Sequence, residues 1–268
     1  MTGVRPGNTV EEIYLLLRER IIEGVYMPGM RMSQSGLAAE LNVSRTPLRE
    51  ALQRLEGDGL LVAEANRGMQ VAPTDVGQVE QFYAIRLLLE PPTIAAIVGE
   101  LEEAEFAKMA GELEAMEADH ARIRDFQEAH MRFHEYAIRH YPPAMAELTH
   151  SLHLKIYRHQ RLYFSRPRVS ADFTTVDRMF LEAMRAGEPE LARQLLEFHL
   201  LDAAIGLVTE DAPDHRYGAL LVAARGLGIE LDTEQGGTLP RPTRIRWRRS
   251  DARAMPSLTT ANLVHTAD

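Results

Sequence analysis

The stretch VSRTPLREALQRLEGDGLL, running from Val43 to Leu61, constrains this chain more than any other. Leu48, Ala51, Leu52 and Leu55 recur at i, i+3, i+4 and i+7, which is one apolar stripe of an amphipathic helix. Ser44 stands where an N-cap is expected. Pro47 then falls in the first turn, where its missing N–H removes no intrahelical bond. The pattern predicts a helix starting at Ser44, with Leu48 to Leu55 facing a core and Arg45 and Arg49 opposite them at its exposed N-terminal end. A short helix through SGLAAELN precedes it, with Leu37, Ala38 and Leu41 inward. A helix from about Val10 to Ile22 and a GVYMPG turn come before that. Downstream, LLVAE, ANRG and MQVAP read as strand, turn and strand, with Gly68 suited to the positive φ of such turns.

Helix, turn, helix and hairpin in this order form a DNA-reading unit. The second helix of such a unit enters the major groove, and arginine in its first turns forks onto guanine O6 and N7. That is the role expected of Arg45 and Arg49. Ser44 and Thr46 suit phosphate or base, and Arg67 in the hairpin turn suits the minor groove or the backbone. Bulk electrostatics give no help. Residues 1 to 75 carry eight arginines and no lysine against ten acidic residues, a net charge of -2, and the whole chain carries -9. Affinity must rest on a few placed contacts and on two copies of the unit acting together.

From GVYMPGMRMSQSGLAAELNVSRTPLREALQRLEGDGLLVAEANRGMQV the chain resembles the GntR family of bacterial transcription regulators. The carrying motifs are the PG turn, LA, VSRTPLREAL and the GLL before the wing. The resemblance implies a homodimer on a pseudo-palindromic operator of double-stranded DNA. It also implies that Arg45 and Arg49 read bases while Ser44, Thr46 and the wing residues Asn66, Arg67 and Gly68 lie near backbone or minor groove.

From Gln78 to about Glu210 every segment is helical in pattern, with breaks at Pro91-Pro92, around His120, at Pro142-Pro143, at SRPRVS and at GEP. The expected fold class is mainly α: a winged helix-turn-helix over 1–75, then an all-helical bundle of about six helices over 78–210. With 45% hydrophobic residues in 268, the chain can supply such cores. Residues 211–268 are expected to add one helix, through RYGALLVAARGLGIE, and then disorder from about Asp232. There RPTRIRWRRSDAR carries six arginines and the only tryptophan. It reads as a solvated tail, with a nucleic-acid arm as the alternative. Cysteine is absent, which excludes disulfides, thiolate metal sites and cysteine nucleophiles. No signal-peptide pattern and no apolar run near 20 residues appears, so the expectation is a cytoplasmic protein without a membrane partner.

His130 and His134 stand at i and i+4, a spacing that suits a shared metal. Asp177 lies 11 residues before Glu188 and His199 lies 11 after it. In an antiparallel hairpin turning at Gly187-Glu188-Pro189, these two side chains come level. Four nitrogen and oxygen ligands can thus converge. Histidines 150, 153 and 159 show no such convergence and read as surface or pocket lining.

This second region resembles the FCD effector domain of the FadR subfamily, through YAIRLLLE, HMRFHEYAI, VDRMFLEAMRAGEPELA and FHL. The resemblance implies a divalent metal held by one aspartate and three histidines. Here His130 occupies the family's aspartate position and Asp177 a family histidine position, so two ligands are exchanged and the inventory is kept. Zinc is the first expectation, with nickel, manganese or iron compatible with the same donors. The resemblance further implies a small carboxylate effector that completes the coordination. Arg86 is the candidate clamp by bidentate pairing, against an alternative in which it forms a surface salt bridge with Glu90. The function expected is a metabolite-responsive regulator, first a repressor, in which the effector alters the spacing of two winged helices. The competing class, a metal-dependent hydrolase, lacks a base beside the histidine pair, because Met131 follows His130 where HExxH enzymes carry glutamate.

Overall fold

The computed structural model describes residues 9–64, 68–73, 75–118, 123–164, 167–235 and 240–266. The chain divides into two compact units, residues 1–75 with 153–158, and residues 76–152 with 159–268. In the first, α1 (Val10–Ile22) opens with a capping box. Glu12 N–H donates to the Thr9 hydroxyl oxygen, and Thr9 N–H donates back to the Glu12 carboxylate. Then follow β1 (Arg31–Met32), α2 (Gln34–Leu41), α3 (Arg45–Gly57), β2 (Leu61–Glu64) and β3 (Gly68–Val71). The strands form an antiparallel sheet in the order β1-β3-β2.

Asn42 holds the turn between α2 and α3 in a left-handed conformation at φ 54°. Its short polar side chain makes it one of the few residues that tolerate this. The expected stripe is the core: Leu37, Leu41, Leu48, Ala51, Leu52 and Leu55 are buried with Ile13, Leu17 and Ile21 of α1. Gly68 takes the positive φ expected of it, 88°. The rest of the hairpin turn, with Asn66 and Arg67, lies outside the described residues.

Among the described residues the expected region holds six helices: α4 (Val76–Ile97), α5 (Glu103–Glu117), α6 (Ile123–Ile138), α7 (Pro143–Phe164), α8 (Pro167–Arg185) and α9 (Pro189–Asp211), all in the second unit but for residues 153–158 of α7. Every residue of α9 from Leu195 to Val208 is buried. A helix covered on all sides is the centre of its domain, and α4 and α8 both pack on α9. The expected breaks around His120 and at Ser165-Arg166 lie outside the described residues.

Two expectations are corrected. The helix α4 continues through Pro91 and Pro92 instead of breaking there. The prolines remove two N–H donors, but Pro91 sits buried among Leu87, Glu90 and Ile94, and the Thr93 hydroxyl donates to the Leu89 carbonyl at 2.7 Å. Burial along this face outweighs the lost ladder bonds.

The second correction is larger. After α10 (Ala219–Gly226), the segment expected to be a disordered tail forms β4 (Ile229–Gln235), β5 (Pro240–Trp247), β6 (Leu258–Thr259) and β7 (Val264–His265), a sheet in the order β4-β5-β7-β6. The β4–β5 pair is antiparallel with a register irregularity at Asp232/Thr233, and β5 pairs β7 in parallel. Ile229, Ile245, Met255, Leu258 and Leu263 are buried. Polar anchors tie the segment to α9: Trp247 Nε1 donates to Glu197 at 2.6 Å, and Arg249 Nη1 donates to the same carboxylate at 2.8 Å.

Candidate functional site

Four side chains from three helices meet inside the second unit. His130 and His134 lie one turn apart on α6, Asp177 comes from α8 and His199 from α9. The hairpin that brings the last two level turns at Gly187, whose φ is 70°, a value glycine adopts without strain. All four are buried, and their candidate ligand atoms lie within 4.8 Å of one another. His130 Nε2 is 3.4 Å from Asp177 Oδ2, and His134 Nε2 is 3.5 Å from Asp177 Oδ1. His199 Nδ1 is 3.1 Å from the same Oδ1, and the two Nε2 atoms of His130 and His134 are 3.2 Å apart.

This donor set fits a metal ion. Bonds of about 2.0–2.1 Å at a tetrahedral angle place ligand atoms about 3.3 Å apart, and the four separations run from 3.1 to 3.5 Å. Asp177 is 1% exposed, yet neither of its oxygens has a hydrogen-bond partner. A buried carboxylate left in that condition is costly unless a cation sits against it. Three imidazoles and one carboxylate are borderline donors, suited to zinc and its neighbours in the first transition row. Aromatic rings wall the group. Phe173 lies 5.6 Å from His130 and 4.9 Å from His199 between ring centroids, and Phe180 lies 6.0 Å from His134.

Arg86 is buried, not at the surface. Its Nε and Nη2 donate to the two Glu90 oxygens at 2.7 and 3.1 Å, and its guanidinium lies 5.3 Å from the Tyr83 ring centre. This is the ion-pair alternative with the solvent removed. Of the other histidines, His150 Nε2 is 2.8 Å from Glu135 and His159 Nδ1 is 3.7 Å from Asp211.

Sequence reading missed the carboxylate one turn beyond His199. Asp202 accepts from the Thr260 hydroxyl and, at 3.5 Å, from Asn262 Nδ2. Burial pushes its pKa up to about 6, against those hydrogen bonds. It also missed Gln127, buried on α6 with an amide nitrogen that has no hydrogen-bond partner. Gln127 was available from spacing, three residues before His130 and seven before His134; Asp202 was not, because its partners lie about sixty residues away.

In the first unit, Ser44 occupies the N-cap position of α3 with extended backbone but makes no side-chain cap hydrogen bond. Ser44, Arg45, Thr46 and Arg49 are all exposed at that end of the helix, opposite the buried leucine stripe.

Residues 9–71 match the family described as bacterial regulatory proteins, gntR family, and residues 81–202 match the FCD domain. The chain belongs to the GntR family of bacterial regulatory proteins. Its second unit carries the FCD domain. Among this GntR protein's relatives, an uncharacterized HTH-type transcriptional regulator, YdhC of Bacillus subtilis, is 31% identical over 154 residues, 56% of this chain and 65% of that one. The HTH-type transcriptional repressor RspR of Escherichia coli is 27% identical over 137 residues, 50% of this chain and 60% of that one. The match thus spans less than two thirds of either relative. Among solved structures, E. coli McbR/YncC aligns with a TM-score of 0.64 at 20% identity, covering 75% of this chain and 97% of that chain, and at that identity shows the fold alone. No described helix is long and apolar enough to cross a membrane.

Proposed function

We propose that this GntR-family protein is a cytoplasmic, effector-responsive transcription regulator whose FCD domain holds a divalent metal and a small carboxylate. The observation that carries the metal is the buried Asp177, without a hydrogen-bond partner among three imidazoles. Zinc is the first choice, with nickel, manganese and iron compatible. When bound, the ion supplies positive charge and an open coordination position for an oxygen anion. His130, His134 and His199 hold it as neutral imidazoles, Asp177 balances one of its charges, and the phenylalanines keep water out.

DNA is the partner of α3. Arg45 and Arg49 reach base edges, Ser44 and Thr46 reach base or phosphate, and Asn66, Arg67 and Gly68 lie at the backbone or minor groove. A homodimer on a pseudo-palindrome adds the affinity that a net-acidic domain cannot gain from charge alone. Repression relieved by the effector is the proposed sense, in keeping with RspR, a relative named as a repressor. The effector acts by preferring one dimer geometry over another. Arg86 serves as a clamp only by exchanging partners, since an effector carboxylate must displace Glu90 to reach its fork.

Selection of genomic fragments on the purified protein tests the reading. The retained DNA is expected to share an inverted repeat, and Arg45→Ala protein is expected to hold it roughly ten- to hundredfold more weakly. Retention without any enriched sequence would reject α3 as the reading element.

A further inference from the structure

Gln127, His130 and His134 stand at i, i+3 and i+7 on α6, so they share one face of the helix. Gln127 is 2% exposed and its Nε2 has no hydrogen-bond partner. Protein interiors rarely leave a side-chain donor in that state. A cation among the four ligands answers the unmet acceptors of Asp177. It does not answer Gln127, which requires an acceptor.

The surrounding contacts say where that acceptor sits. His130 meets Phe173 while His134, one turn later, meets Phe180, so α6 runs alongside α8 in the same sense. Gln127, about 4.5 Å before His130 along the axis, therefore lies on the Phe173 side of the ligands. The C-terminal segment closes this same side. Ala261 N–H donates to Asp172 at 2.8 Å, next to Phe173, and the Thr260 hydroxyl donates to Asp202, one turn past His199. The metal ligands and the unused amide nitrogen thus share one face of α6, on the side where the C-terminal segment bonds to α8 and α9.

Resting on the metal and carboxylate reading above, we propose that Gln127 is the specificity-determining residue of this pocket. Its amide N–H donates to an oxygen that the bound acid carries in addition to its metal-facing carboxylate. The donor sits about 4.5 Å along the helix axis from His130, so the oxygen it meets is carried elsewhere on the acid than the group at the metal. The pocket thereby prefers an acid bearing a hydroxyl to the same acid without one.

The test uses full-length protein loaded with Co2+, whose visible absorption reports its coordination. It is titrated with 3-hydroxybutyrate and with 4-hydroxybutyrate, each against butyrate. The expected result is that the hydroxylated member of at least one pair perturbs the band about tenfold more tightly, near the worth of one net hydrogen bond. In Gln127→Leu and Gln127→Met the preference disappears while the unsubstituted acid binds as before. Both variants are expected to melt no lower than the parent in the absence of acid, because the amide nitrogen has no internal partner to lose. Equal binding within both pairs, a preference that survives in the variants, or a lower melting temperature without acid overturns the assignment of Gln127. The absence of a cobalt band removes the metal reading, and a band that no acid perturbs removes the carboxylate reading. In either case the role of Gln127 falls with it.

Discussion

Two of the chain's arginine groups, one on α3 and one in the C-terminal segment, serve opposite ends. On α3, Arg45 and Arg49 stand exposed with no ion-pair partner among the described residues. Between Arg241 and Arg253 most of the arginines are already engaged by side chains of the chain itself. Arg246 donates to Asp232 at 2.9 Å, Arg248 to Glu230 at 2.7 Å and Arg249 to the wholly buried Glu197, while Arg241 reaches the Asn262 side chain. Composition points to the C-terminal cluster as the stronger nucleic-acid candidate, with six arginines and a tryptophan. Partners reverse that ranking: a guanidinium already answered by a carboxylate offers little to phosphate, while an unanswered one at a helix N-terminal end is available to a base edge.

The contrast breaks first at Arg249. Replacing it with alanine strips a buried carboxylate of its main cation, a loss of about 3–5 kcal/mol for a buried pair. Glu197 keeps Trp247 and Arg193, so the expected loss is near the lower end. Urea unfolding measures it, and a change below about 1 kcal/mol would mean the sheet is not anchored there.

Asp202 comes next. Burial raises its folded pKa from 3.8 to about 6. Between about pH 4 and pH 6 the folded chain therefore holds a proton that the unfolded chain has released, and this group's contribution to stability falls as pH rises through that window. In the metal-free protein Asp202→Asn is expected to flatten the pH dependence by up to about 3 kcal/mol. An unchanged slope places the raised pKa elsewhere.

At Arg45 the expected effect moves from stability to binding. Arg45→Ala costs about 1–3 kcal/mol of operator affinity, roughly ten- to hundredfold, with no change in melting temperature. A loss that is equal on all DNA sequences would make Arg45 a phosphate contact instead. The smallest effect belongs to Arg244, which is exposed on β5. Arg244→Ala should alter stability by less than about 0.5 kcal/mol and leave operator binding unchanged, and a marked loss of DNA affinity would restore the nucleic-acid-arm reading.

The legible parts of the fold were those with local rules. The α3 stripe, Pro47 in its first turn and Gly68 at positive φ each follow from residues within a few positions of one another. So does the His130–His134 pair. The level pairing of Asp177 with His199 needed one added assumption, a hairpin at Gly187, and the 3.1 Å contact supports it.

The C-terminal sheet was illegible because its buried residues, Ile229, Ile245, Met255, Leu258 and Leu263, are scattered singly over 35 positions among glycine, proline and charged residues. Its stability is drawn from Glu197 and Asp202 on α9, partners that no local pattern reveals. The course of α4 through Pro91-Pro92 was hidden for the same reason: local propensity forbids it and tertiary burial enforces it.

The most direct test of the central claim is a calorimetric titration of chelator-treated protein with Zn2+ at pH 7.5 and again near pH 5.5. The account predicts one ion per chain, bound more weakly at the lower pH because the imidazoles must give up protons to ligate, and binding lost in both His134→Ala and Asp177→Ala. Absence of binding, or binding untouched by both substitutions, would contradict a metal centre at His130, His134, Asp177 and His199.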